Sequence, residues 1–294
     1  AGTVYGYTVR ATTASGDTLP SVADAGWRNL PAPTGVGATD GTSTANVTVT
    51  WTAVPGATGH KVFRAIGAAV PTLLATVGPA VATYADAAAV AGTTYSYTVK
   101  AATAAGDSAA SAADTGWKNV AAPVGVAATD GTLTTGVNVT WTAVAGAAGY
   151  RVYRAEGAGD PAEISAPAAA VFLDTTATAG TTYSYTVKAR TASGNSTSSA
   201  ADTGWKNVAA PTGVAATDGT LTTGVTVTWT AVPGATGYKV FRAIGAAVPV
   251  QIGTTAAGTM TYADASAVAG TVYGYTVRAT TASGDSAASV ADTG

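Results

Sequence analysis

Side-chain catalysis needs a nucleophile beside a base, or two carboxylates held across a bond, and this chain offers little of either. It has one histidine, His60, and no cysteine. A Ser-His-Asp arrangement could therefore be assembled once at most. No nucleophile elbow adjoins His60, which stands where Tyr150 and Tyr238 stand in two related segments. It reads as a substituted aromatic. Glu156 and Glu163 are the only glutamates, and they share one loop with Asp160; solvated loop charges explain them better than a carboxylate pair. The aspartates recur by position: Asp40, Asp130 and Asp218 in Thr-Asp-Gly, then Asp86, Asp174 and Asp264, then Asp114, Asp202 and Asp292 in Ala-Asp-Thr-Gly. Calcium takes about six to eight oxygens, and no Asp-x-Asp-x-Asp run supplies them locally. Asp at turns commonly bonds its own backbone. The expectation is structural turns, no enzyme and no cofactor, with Ca2+ at segment junctions as the open alternative.

Composition narrows the class further. Of 294 residues, 47% are apolar and only 10% charged, against about 25% charged in an ordinary soluble domain. Such a surface does little to oppose association. The 14 Lys and Arg are scattered and the net charge is −2, so no basic stripe exists to meet a phosphate backbone and nucleic acid is not an expected partner. The apolar stretches are broken by Gly, Pro and Thr, and no membrane span is expected in this segment.

Internal repetition settles the architecture. Val-Thr-Trp-Thr-Ala-Val surrounds Trp51, Trp141 and Trp229, at spacings of 90 and 88 residues. A block with Gly-Thr-x-Tyr-x-Tyr-Thr-Val recurs at Tyr5, Tyr95, Tyr183 and Tyr273, and a Gly-Trp-(Lys/Arg)-Asn block at Trp27, Trp117 and Trp205. Within a repeat the apolar positions alternate: Val47, Val49 and Trp51 share one face, Thr48, Thr50 and Thr52 the other. That period of two, bounded by Asp40-Gly41, Pro55-Gly56 and Ala91-Gly92, predicts strands and turns. The period of about 90 fits one β-sandwich per repeat.

In the third repeat, Pro211-Thr-Gly-Val, Val225-Thr-Val-Thr-Trp229, Tyr238-Lys-Val-Phe-Arg242 and Gly270-Thr-Val-Tyr273 resemble fibronectin type III, in the form common in bacterial secreted and surface proteins. The resemblance covers essentially the whole chain. It implies an all-β fold of tandem seven-stranded, fibronectin-III-like (Ig-like) sandwiches in a rod-like array. It places Trp51, Trp141 and Trp229 in the second strand, and Tyr95, Tyr183 and Tyr273 at the corner opening the sixth, as core anchors. Ala91, Ala179 and Ala269 stand where the family usually has proline before that corner.

The expected divisions are 1–30, matching the last two strands of a preceding repeat, then complete repeats at 31–120, 121–208 and 209–294. An opening in mid-repeat suggests a window on a longer array. Residues 1–26 and 269–294 differ at only four positions, the trace that duplication of multi-repeat blocks would leave. Trp27, Trp117 and Trp205 precede Pro33, Pro123 and Pro211 by a few residues. An indole wedged at the interdomain junction is preferred there over a sugar-stacking platform. Asn46, Asn138 and Asn195 open glycosylation-type tripeptides, expected by chance in a Thr-rich chain.

The expected role is a non-enzymatic structural protein of an extracellular filament, sheath or surface stalk. It would act by domain stacking and lateral association with copies of itself or neighbouring repeats. Two alternatives remain: a spacer array of a secreted polysaccharide-degrading enzyme, and an adhesin binding glycans or surface proteins. Extracellular or cell-surface localisation goes with all three.

Overall fold

The computed structural model describes residues 2–220 and 222–294; Ala1 of the first expected segment and Leu221 of the last lie outside them. Every regular element among the described residues is a β-strand, so none is a helix that could cross a membrane. By contact density the chain forms two compact units.

One unit comprises 1–121 with 144–148 and 190–196. Its complete sandwich sets a three-stranded sheet, in the order Thr34–Ala38, Val47–Thr52, Thr83–Asp86, against a second sheet ordered Thr72–Val77, Gly59–Ala65, Thr94–Thr103. Asp114–Trp117 and the short Gly106–Asp107 both pair with Thr94–Thr103. The alternation in the sequence explains the packing. Val47, Val49 and Trp51 are 0%, 0% and 5% exposed, while the intervening threonines face outward. Val62, Tyr95, Tyr97 and Val99 close the core from the other sheet. Burying each such side chain is worth about 1.5–3 kcal/mol.

The same unit holds the N-terminal hairpins, Tyr5–Tyr7 with Asp24–Gly26 and Thr12–Thr13 with Gly16–Asp17. Here the face that is core elsewhere is open: Tyr5 and Tyr7 are 57% and 61% exposed, whereas Tyr95 and Tyr97 are 3% and 0%.

The other unit comprises 122–143, 149–189 and 197–294 and carries the same plan twice. Ala127–Ala128, Val137–Thr140 and Val171–Asp174 form one three-stranded sheet; Ala162–Ser165, Gly149–Glu156, Thr182–Arg190 and Asp202–Trp205 form the facing four-stranded one. Ala215–Ala216, Val225–Thr228 and Thr261–Asp264 then face Val250–Ala256, Gly237–Ala243, Gly274–Thr280 and Asp292–Thr293. Three strands over four is the arrangement expected of a fibronectin-III-like sandwich, so the all-β, seven-stranded expectation holds. Two anchors sit slightly off the expected place. Trp141 and Trp229 follow the last residue of their strands rather than lying within them. Both indoles still enter the core, at 6% and 5% exposure.

In all three sandwiches the fourth strand meets the third through a bulge, at Val62/Phe63, Val152/Tyr153 and Val240/Phe241. The extra residue is on the fourth strand, at Leu74, Ile164 and Ile252. The third strand keeps its alternation, and two residues past its core valine an arginine lies over the corner tyrosine: Arg64 on Tyr95, Arg154 on Tyr183 and Arg242 on Tyr273, at 4.4, 4.5 and 4.4 Å from the ring centre.

Candidate functional site: the repeat junctions

The candidate catalytic residues are not brought together. His60 is fully buried beside Trp51, with ring centres 5.8 Å apart. Its Nε2 accepts a hydrogen bond from the Val54 amide at 3.1 Å. In the third sandwich the Tyr238 hydroxyl accepts the equivalent bond from Val232 at 2.8 Å. The histidine thus copies a tyrosine contact. Glu163 pairs with Arg151 at 2.7 Å, while Glu156 and Asp160 are solvent-exposed.

Two sets of the repeated aspartates have protein partners, and one of these differs from the turn reading. Asp86, Asp174 and Asp264 close strands and are 1%, 0% and 2% exposed. Each receives an arginine (Arg64, Arg154, Arg242) at 2.8, 2.7 and 2.6 Å. Each also accepts from a buried tyrosine hydroxyl, of Tyr97, Tyr185 or Tyr275, at 2.9, 2.9 and 3.0 Å. Burial, then the aspartate partner, pushes the Tyr97 and Tyr275 phenols well above their ordinary value; at Tyr185 burial again leads. For Asp174 and Asp264, burial works upward, but hydrogen bonds from Thr176 or Ser266, the arginine and the tyrosine outweigh it. Both carboxyls are held below the usual aspartate value of 3.8. The signal for this network was in the sequence: Asp and the second tyrosine are always 11 residues apart. Asp114, Asp202 and Asp292 tie the last strand to the first by accepting from Ala38, Ala128 and Ala216 amides at 2.7–2.8 Å. Among the described residues no group of three or more His, Cys, Asp or Glu is placed to hold a metal.

The junctions are where the repeated motifs converge. At the corner preceding Tyr95, Gly92 takes a φ of +74°. A Cβ there would lie 2.7 Å from the Thr191 methyl, so only glycine admits the contact. Thr191 itself braces the turn it opens, donating to the Gly194 carbonyl at 2.9 Å. Within that turn Ser193 donates to the Gly92 carbonyl at 2.9 Å and lies 2.7 Å from the Thr94 hydroxyl. The Trp117 indole fills the space between two glycines. A Cβ on Gly41 would fall 2.5 Å from it and one on Gly194 3.6 Å. Asn119 completes the joint: its Nδ2 donates to the carbonyls of Gly41 and Asn195 at 3.1 and 3.2 Å, and its Oδ1 accepts from Val120 at 2.9 Å.

The same joint recurs between the second and third sandwiches. Gly180 meets Thr281, Trp205 sits between Gly131 and Gly284, and Ser283 donates to the Gly180 carbonyl at 2.8 Å. Asn207 donates to Gly131 and Asp285 carbonyls at 2.9 and 3.1 Å.

A reduced version joins the N-terminal hairpins to the first sandwich. Gly2 meets Thr103, and Asn29 reaches the Asp107 carbonyl at 3.4 Å. Ala105 stands in place of the serine and supplies no hydroxyl. Gly106 has open space around its Cα, and Trp27 is 52% exposed. Trp117 and Trp205 are thus covered from two sides, and Trp27 is not. Sequence reasoning named the tryptophans but missed the Gly–Thr contact, the serine and the asparagine. Their partners lie about a full period away.

No protein-family model matches the chain, and no curated protein matches it. Among solved structures it is similar to the FN1-FN3 domains of chicken CNTN1, at 15% identity over 89% of this chain and 98% of that one, with a TM-score of 0.30. It is also similar to a two-domain fibronectin type-III segment from chicken tenascin, at 20% identity over 58% and 97%, with a TM-score of 0.46. Both are tandem fibronectin type III structures. The sandwich assignment rests on the sheet orders of the chain itself.

Proposed function

We propose that this chain is a structural repeat protein of an extracellular filament, sheath or surface stalk, working without catalysis by end-to-end stacking of sandwiches and side-by-side association of chains. We take the units of that stack to be the segments 1–30, 31–120, 121–208 and 209–294. The observation that carries the reading is the recurring joint. Trp117 and Trp205 each sit between two glycines, and Asn119 and Asn207 each donate to two equivalent carbonyls, at 3.1 and 3.2 Å and at 2.9 and 3.1 Å. Free linkers between binding modules need no such contacts; a load-bearing string does. A chain with only 10% charged residues adds little repulsion between neighbouring copies.

Electron microscopy and solution scattering of the purified chain over a concentration series test this. Ordered filaments or sheets are expected. A chain that stays dispersed and instead binds a glycan saturably, with binding lost in Trp117→Ala, would replace the structural reading with the adhesin one.

A further inference from the structure

The loop between the third and fourth strands of the first sandwich, Ile66-Gly67-Ala68-Ala69-Val70-Pro71, presents bare apolar side chains. Ile66 is 56% and Val70 86% exposed; in the third sandwich Ile244 is 58% and Val248 84% exposed. Each pair rims a groove that includes the corner tyrosine and the arginine above it, Tyr95 with Arg64 and Tyr273 with Arg242. The second sandwich builds the same loop as Glu156-Gly157-Ala158-Gly159-Asp160-Pro161. Its backbone is the same. The glycine φ is +54°, +56° and +54° at Gly67, Gly157 and Gly245. The closing amide-to-carbonyl bond is 3.1, 3.0 and 3.1 Å, from Ala69 to Ile66, Gly159 to Glu156 and Ala247 to Ile244. A loop that closes equally well on Glu and Asp does not need Ile and Val to fold. The apolar pair serves a contact outside the sandwich.

The geometry points to a second copy of this chain as the occupant, docking through these two loops and the edge strands beside them. This rests on the lateral-association reading above and gives it a surface. Three observations select a copy. The knob and the groove belong to one loop, so a two-fold contact between like loops engages both at once. The adjoining strands Thr72–Val77 and Val250–Ala256 end their sheets and carry no charged residue. Such edges are open to pairing with another strand. The middle edge is guarded as natural edges usually are: Ala162–Ser165 is four residues long and carries Glu163 paired to Arg151. Apolar loops and bare edges occur together in two sandwiches, and acidic loop and guarded edge occur together in the third.

The test uses the full chain and borrows the middle loop's own residues, which this backbone already accepts. Sedimentation velocity over a concentration series compares wild type with a variant carrying Ile66→Glu, Val70→Asp, Ile244→Glu and Val248→Asp. Circular dichroism melting checks the fold of both. Wild type should associate with rising concentration, and the variant should need at least about tenfold more protein for the same degree of association. The converse pair, Glu156→Ile with Asp160→Val, should lower that concentration. Association unchanged in the fourfold variant, with unchanged melting, overturns this surface and leaves lateral association standing. A wild type that stays monomeric throughout overturns both.

Discussion

Ala88→Ser should stabilise the first sandwich. In the second and third sandwiches the residue two after the buried aspartate is Thr176 or Ser266, and its hydroxyl meets the carboxylate at 2.6 Å. Its amide donates to the same oxygen at 3.0 and 3.1 Å. The first sandwich has alanine at that place, and the second oxygen of Asp86 is buried with no partner among the described residues. The amide of the intervening Ala87 bonds the Ala85 carbonyl at 3.2 Å. A hydrogen bond to a charged acceptor contributes about 1.5–3 kcal/mol, and a lone buried acceptor costs a comparable amount. Re-forming the turn and ordering a small hydroxyl offset part of this, leaving about 1–2 kcal/mol. That corresponds to a factor of about 5–30 in the opening equilibrium. Native-state hydrogen exchange read by mass spectrometry resolves it, because opening free energies are local. Peptides from Val47–Thr52 and Thr94–Thr103 should exchange more slowly by that factor, with those of the third sandwich unmoved. Unchanged or faster exchange in the first sandwich would refute the reasoning.

His60→Tyr restores the hydroxyl that Tyr238 uses and removes the Nδ1 that is buried with no partner among the described residues; a gain of about 1 kcal/mol is expected in the same exchange experiment. Asp174 and Asp264, held below 3.8, contribute stability that is complete above the unfolded value and is lost as pH falls through the folded one. Protection in the second and third sandwiches should therefore drop below about pH 4. Asp264→Asn should flatten that response in the third and weaken it near neutrality by about 2 kcal/mol, less than a fully buried pair because Arg242 is partly exposed. Trp205→Ala should loosen the joint between the second and third sandwiches while leaving each folded. Since the chain has no cysteine, spin labels on introduced cysteine pairs would read this as a broadened distance distribution, and an unbroadened one would count against the joint.

The sandwiches were legible because their cores are written in period-two alternation around Trp51 and Tyr95, a signal local to each strand. The corner tyrosines were legible through the resemblance to fibronectin type III that their block carries. The aspartate network was missed although its 11-residue Asp–Tyr spacing recurs in the sequence, because Asp86 looks like any turn aspartate until the fold brings Arg64 and Tyr97 onto it. The joint was half legible. A tryptophan at the end of a repeat invites the idea of a wedge, but nothing near Gly92 announces that Thr191 will lie against it. Ser193 and Asn119 are ordinary polar residues in sequence, and they act only because the turn at 191–195 comes within hydrogen-bonding reach of Gly92 and Asn119.

The first and second sandwiches each carry both halves of the joint: a socket of corner glycine, tryptophan and asparagine, and a plug, the Thr-x-(Ser/Ala)-Gly turn. Plug and socket are encoded within one period of the same stretch. An in-frame gain or loss of whole periods therefore leaves every remaining plug facing a compatible socket. The length of such a chain can drift by recombination without a compensating mutation anywhere, so reach becomes a trait that is adjustable independently of fold.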